Sequence, residues 1–323
     1  MIVVTGGAGF IGSAVVWRLN KLSEDKIIIV DELGNEDKWK NLVALNFSDF
    51  INKNEFINKI KEGVEFDIDS IIHMGANSST TEGDADYLLS NNYEYTKTLA
   101  EYCIVNDKRF IYASSAATYG NGTLGFDDDI NLCGKLRPLN MYGYSKNLFD
   151  LWAIKRGILN KIAGMKYFNV YGPNEYHKGD MRSVVHKAFE QITTSGKVKL
   201  FKSRNPEYKD GEQKRDFIYV KDVVDITLFF LENKDKNGLF NVGSGVARTW
   251  NDLVTAIFNA MNKPVNIEYI ELPEHLAEKY QYFTEAKLDR IKKAGYTNPI
   301  NSLEDGITDY VKNYLLRKKF FGY

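Results

Sequence analysis

The chain opens on an unbroken apolar and β-branched run, Ile2-Val3-Val4-Thr5, with no polar alternation. Such a run suits a strand buried on both faces. The period then changes. After Gly6-Gly7-Ala8-Gly9-Phe10-Ile11-Gly12, apolar residues recur at Ala14, Val15, Val16, Leu19 and Leu22, which is helical spacing. Residues 27–30 predict the next strand, 42–45 a weak one, and 50–60 a short helix. Ser70-Ile71-Ile72-His73 predicts a strand running into Met74-Gly75-Ala76, and 84–106 a long helix carrying Asn91 and Asn92. A strand over 109–113 follows, with Ser114-Ser115-Ala116-Ala117-Thr118-Tyr119-Gly120 leaving its C-terminal end. A Gly/Asp-rich loop, 121–137, is closed by Pro138 and leads into a helix holding Tyr142 and Lys146; 164–168 predicts the sixth strand.

Strand and helix alternating in this way predict an α/β fold, a Rossmann-type doubly wound parallel sheet. Beyond Asn169 the pattern loosens: a helix over 181–194, a strand over 197–201, a charged loop over 202–214 and a strand-like run over 215–220. A helix (222–231), a strand (239–242), a helix capped by Thr249 and a strand (265–270) follow, and Ser302-Leu303-Glu304-Asp305 predicts a capping box opening the last helix. The expected organisation is a dinucleotide-binding domain over 1–172, with contributions from about 215–245, and a smaller mixed α/β substrate domain over 173–323.

Composition narrows the partners. With 42 basic and 43 acidic residues among 323, and no basic block longer than Arg317-Lys318-Lys319, nucleic acid is not an expected partner. No apolar run reaches the roughly 18 residues of a membrane span. A strand beginning at the second residue leaves no room for a signal peptide, so a cytoplasmic protein is expected. Cys103 and Cys133 make no disulfide framework. His73, His177, His186 and His275 show no ligand spacing, so no metal site is expected.

The chemistry is carried by a few segments. Strand, glycine turn and helix are the setting of a dinucleotide-binding turn, whose glycines let the backbone approach a pyrophosphate at the helix N-terminus. Asp31 stands at the ~20-residue spacing at which an acid binds the adenosine ribose. Asp31 points to NAD, whereas Lys38 and Lys40 supply positive charge suited to the 2′-phosphate of NADP, and spacing alone leaves the two open. Tyr142 and Lys146 lie four apart, on one face of a helix. A lysine ammonium beside a tyrosine favours the tyrosinate, making it a proton acceptor for a substrate hydroxyl. A serine of the 114–120 segment is placed to hydrogen-bond the same hydroxyl.

These residues resemble the extended short-chain dehydrogenase/reductase family, in particular its nucleotide-sugar epimerases. The resemblance rests on Thr5 to Gly12, Ser114-Ser115 with Tyr119-Gly120, Tyr142 with Lys146, Asn169-Val170-Tyr171-Gly172-Pro173, Arg215 to Val220, and Asn241 to Gly245. Within that branch, Gly75 to Glu82, His177-Lys178-Gly179 and Tyr280 to Thr284 are most similar to the epimerases that invert C6 of ADP-heptoses for lipopolysaccharide core. The family's dehydratases carry an Asp-Glu pair where this chain has Ala116 and Ala117, which disfavours elimination. The alternatives that stay open are another nucleotide-sugar epimerase, such as a UDP-hexose 4-epimerase, or a non-catalytic NAD(P)-binding protein.

The resemblance implies catalytic roles for Tyr142, Lys146 and Ser115, and for Lys178 as a second base or a phosphate ligand. It implies NADP rather than NAD as cofactor, held by Gly6, Gly9, Phe10, Ile11, Gly12, Asp31, Glu32, Lys38, Lys53, Met74, Gly75, Ala76, Asn77, Ser78, Asn91, Lys146, Val170 and Lys178. A nucleotide-sugar substrate would meet Ser115, Asn169, Asp180, His186, Lys187, Phe201, Lys202, Ser203, Arg204, Arg215 and Tyr280. A homo-oligomer is expected. Lys166 stands where the family usually has arginine.

Overall fold

The computed structural model describes residues 1–35, 37–274 and 280–323, so His275 lies outside the described residues. Seven parallel strands form the main sheet: β1 (Ile2–Thr5), β2 (Ile27–Asp31), β3 (Asp49–Asn52), β4 (Ser70–His73), β5 (Arg109–Ser115), β6 (Ala163–Tyr167) and β10 (Gly238–Val242). Their order is β10-β6-β5-β4-β1-β2-β3, so the winding reverses between β1 and β4. The expected doubly wound sheet is the fold found. β1 is buried except for its first residue and pairs on both sides, Val4 with Ile29 and with Ile72. This is why its residues are apolar without alternation.

Helices cover both faces. α1 (Phe10–Lys21) and α7 (Val220–Glu232) pack together on one, with Ala14, Val15, Val223 and Val224 in the core. On the other lie α2 (Lys53–Lys61), α4 (Tyr95–Val105) and α5 (Met141–Lys155), through Phe56, Leu99 and Phe149. α3 (Ala85–Leu88) runs into α4 through a π-helical stretch, Leu89–Glu94, which holds Asn91 and Asn92. The later chain supplies α6 (Val184–Ser195) and α8 (Trp250–Ala260), and two small sheets. One joins β11 (Ala247–Thr249), β9 (Lys214–Tyr219) and β7 (Asn169–Tyr171); the other pairs β12 (Ile267–Ile270) with β8 (Val198–Phe201).

Three expected boundaries are corrected. The stretch read as a weak strand at 42–45 is the end of a 3₁₀ turn, Asp37–Leu42, and the three residues after that turn. Leu42 and Leu45 are buried because their i, i+3 spacing turns both inward. The third strand instead comes at Asp49–Asn52, overlapping the start of the region read as a helix, and α2 starts only at Lys53, capped by the Asn52 side chain on Asn54 N–H. The helix read from 181 begins at Val184, where Ser183 accepts from His186 N–H. Thr249 and Asp252 form a full capping box; at Ser302 the Asp305 carboxylate accepts from the Ser302 hydroxyl.

Candidate active site

A cleft of about 1460 Å³ runs along the carboxyl ends of the central strands, the position at which open α/β sheets bind ligands. Gly6 has φ of +66°, and a Cβ there would lie 2.6 Å from Gly75 N. A Cβ on Gly12 would strike the Gly6 carbonyl oxygen. Both glycines therefore allow backbones to close where a side chain cannot fit. α1 begins beneath this turn with Gly9 as N-cap and no side-chain cap on its first amides. Amides of this kind, at the positive end of a helix, make an anion site.

At the end of β2, Asp31 is buried. Its Oδ2 accepts from Ala8 N–H at 2.9 Å and its Oδ1 from Lys38 Nζ at 2.8 Å. Glu32 pairs with Lys53 at 2.7 Å, and Lys53 Nζ donates to Asn91 at 3.2 Å. Lys53 holds the Glu32 carboxyl below its ordinary range. The glycine cradle, the open helix end and the acid–lysine pair fit a dinucleotide cofactor with an adenosine ribose at Asp31. Every residue expected to hold the cofactor lines the cleft.

Asn140 caps α5 by accepting from Gly143 N–H at 2.8 Å. Gly143 lets the helix press onto the 116–119 turn, since a Cβ there would lie 2.7 Å from the Ala117 carbonyl. This packing brings Tyr142 to Ser115. Burial raises the Tyr142 pKa, and its hydrogen bond with the Ser115 side chain draws it back. Lys146, expected to lower it, is not among the groups that shift Tyr142, and its Nζ donates to the Ala113 carbonyl at 2.8 Å. Burial takes Lys146 itself down to about 8, with Asp150 opposing. Lys178 enters from a separate turn, Tyr176–Met181, with Nζ 5.7 Å from the Phe10 ring centre. Burial lowers its pKa, against the opposing charge of Glu175.

On the substrate side the expected residues divide. Ser115, Asn169 and Tyr280 line the cleft. Asp180, His186, Lys187, Phe201, Lys202, Ser203, Arg204 and Arg215 do not. Lys187 donates to the Asp180 carbonyl at 2.6 Å, and His186 meets Arg182 at 3.3 Å. Phe201 ends β8 beside Ile270, and Ser203 donates to the Asn205 carbonyl at 2.8 Å. Lys202 and Arg204 pair with Glu271 and Glu274. Arg215 sits one layer back, near the rings of Trp250 and Tyr280 and donating to the carbonyls of Lys214 and Gln281.

Two site residues escaped the sequence reading. Asn92 is wholly buried; it bonds both backbone groups of Asn77 and donates to Ser145, next to Lys146. It thereby ties the loop after β4 to α5, and its signal was the asparagine pair on the helix predicted over 84–106. Gln281 lines the cleft and donates to the Gly120 carbonyl, joining the 280–284 segment to the serine turn. Among the described residues no helix is long and apolar enough to cross a membrane.

The NAD dependent epimerase/dehydratase family matches over residues 2–243. An ADP-L-glycero-D-manno-heptose-6-epimerase of Nitratidesulfovibrio vulgaris is 55% identical over 316 residues, 98% of each chain. One from Fusobacterium nucleatum is 50% identical, covering 98% of this chain and 99% of its own. The crystal structure of the Helicobacter pylori ADP-L-glycero-D-manno-heptose-6-epimerase aligns with a TM-score of 0.81 at 28% identity, over 97% of this chain and 95% of that one.

Proposed function

We propose that this chain, which belongs to the NAD dependent epimerase/dehydratase family, inverts C6 of the heptose in an ADP-heptose with NADP as its cofactor. The observation that carries the reading is that Ser115, Tyr142, Lys146 and Lys178 all border the cleft that holds the glycine cradle. The full-length likeness to heptose epimerases supports the choice of sugar.

When bound in the cradle, the nicotinamide supplies the chemistry of hydride acceptance and return, so the reaction has no net redox change. The protein's share is proton transfer. Tyr142 takes the proton from the substrate hydroxyl, and Ser115 holds the two oxygens in register. Lys146, protonated below about 8, is the positive charge available to favour the tyrosinate. Inversion requires protons to be exchanged from two positions, or the sugar to swing past a single group. Lys178 supplies a second position from a different element, and burial moves it toward the working pH range.

For the cofactor, Lys38 beside Asp31 supplies a cation for a 2′-phosphate, which supports NADP over NAD. Mass spectrometry of the cofactor released on denaturation is expected to show NADP. An assay across ADP- and UDP-sugars is expected to show interconversion of ADP-heptose epimers; turnover confined to a UDP-hexose would overturn the substrate. Tyr142→Phe and Lys178→Met should each lose about 10²–10⁴ in epimerisation rate while retaining cofactor, each blocking the half-reaction of a different epimer. A Lys178→Met enzyme running near the wild-type rate would leave Tyr142 as the only base.

A further inference from the structure

We propose that Glu175 is a positioning residue for the proton exchange, its buried carboxylate clamping both ends of the turn that carries Lys178 and supplying that lysine's counter-charge. The inference rests on the reading of Lys178 as a second proton-exchange position and deepens it. Glu175 is 1% exposed and lines the cleft together with Lys178 and Ser183. On the entering side of the turn, its Oε1 accepts from Gly172 N–H at 3.3 Å. On the leaving side, Oε1 accepts from the Ser183 hydroxyl at 2.7 Å and Oε2 from Ser183 N–H. Ser183 in turn caps α6. The Tyr176–Met181 turn needs such a clamp, because Gly179 has φ of +51° and breaks its helical course in the middle. Lys178 N–H donates to the Glu175 carbonyl at 3.0 Å, so the same residue also holds the lysine's backbone.

Both carboxylate oxygens meet backbone N–H groups, which only donate, and this suits the anion. Burial raises the Glu175 pKa, and the bonds from Ser183 and Gly172 oppose it. Of the titratable groups around this carboxylate, Tyr176 and Tyr310 are raised by burial and by its charge, so both stay neutral. His177, next to Lys178, is held down to about 4 and is neutral as well. Lys38 and Asp31, which also act on His177, pair with each other at 2.8 Å. Asp180 of the same turn is exposed, and Arg182 beyond it pairs with Glu190 at 2.8 Å. Lys178 is thus the cation that answers the buried charge, which acts on it against desolvation. Without that charge the lysine gives up its proton at lower pH.

The test follows single-turnover half-reactions of the full-length holoenzyme from each ADP-heptose epimer, by the absorbance of the reduced cofactor, across pH. Glu175→Gln keeps the size of the side chain, removes its charge and turns an NH₂ group toward one of the donors. The half-reaction that Lys178→Met blocks should slow by about tenfold, and its pH limb should move to lower pH by about one pH unit. The half-reaction that Tyr142→Phe blocks should keep its rate, and the cofactor should stay bound. Glu175→Asp, which keeps the charge, should leave the limb near its wild-type position. If Lys178→Met itself runs near the wild-type rate, the second-base reading fails and this inference with it. If Lys178→Met blocks its half-reaction and Glu175→Gln moves neither rate nor limb, Glu175 alone is overturned. Equal slowing of both half-reactions, or loss of cofactor, also overturns it, since a group that merely supports the fold acts on both alike. Should Glu175→Gln not fold, Ser183→Ala decides in its place: it removes one bond of the clamp and should slow the Lys178 half-reaction alone, and an unchanged rate overturns the clamp.

Discussion

Lys166 shows how much a single position can hide. In the sequence it is one more lysine, standing where the related family usually has arginine. In the fold its Nζ lies 2.8 Å from Asp150 Oδ2 and 2.7 Å from Thr118 Oγ1, with both charged side chains fully excluded from solvent. The Ser114 and Tyr112 hydroxyls complete the carboxylate's bonds. Asp150 is one helical turn beyond Lys146, and Ser114 precedes Ser115, so the pair locks the serine strand to the tyrosine helix. Breaking a buried pair from one side leaves an uncompensated charge. Lys166→Met should therefore lose about 3–5 kcal/mol of stability in urea unfolding. Pairing it with Asp150→Leu should recover much of that loss. A single mutant within about 1 kcal/mol of wild type would show that the pair contributes no such constraint.

Among elements, the glycine turn was the most legible and the third strand the least. The turn is legible because close backbone approach admits only glycine at Gly6 and Gly12. Gly12→Ala would place a methyl on the Gly6 carbonyl, so the turn must open. The expected outcome is a folded protein by circular dichroism that loses most of its cofactor on purification. Retention at the wild-type level would contradict the cradle. β3 was missed because only Ile51 of its four residues is buried, which leaves no pattern to read. It is a strand because it pairs beside β2, Ile51 against Val30. Propensity at such an edge yields to pairing. The π-helical stretch, Leu89–Glu94, is likewise invisible in periodicity, yet it turns Asn92 inward.

At the scale of the whole molecule, three histidines among the described residues are kept neutral by burial. His73 lies between Thr5 and Thr96 with its pKa well below the ordinary value, and His177 and His186 are lowered to about 4. Unfolded histidine takes up a proton below about 6.5; these three do not while folded. The unfolded state then binds more protons, so stability falls as pH drops from about 6.5 toward 4. Asp128 and Asp222, raised to about 6 by burial, act in the opposite sense between roughly 4 and 6. Urea midpoints should therefore decline as pH falls through about 6.5, the three histidines outweighing the two opposing aspartates. His73→Gln should flatten that decline. A midpoint that rises on acidification through this window would refute the burial reading.

The sequence by itself determined the sheet, the cradle and the candidate groups that border the cleft. Period, glycine sterics and the Tyr142–Lys146 spacing are local properties, and each constrains the chain without reference to distant residues. Thus every residue expected at the cofactor lines the cleft. Tertiary structure decided the rest, because those outcomes depend on which distant groups meet. The resemblance put Arg215 among the substrate contacts, and the fold directs its guanidinium to the carbonyls of Lys214 and Gln281, beside Tyr280. Spacing suggested a lowered Tyr142 pKa, but burial raises it and the Ala113 carbonyl takes up the Lys146 ammonium. Burial and partner choice are sums over the whole packed chain, and no local pattern contains them.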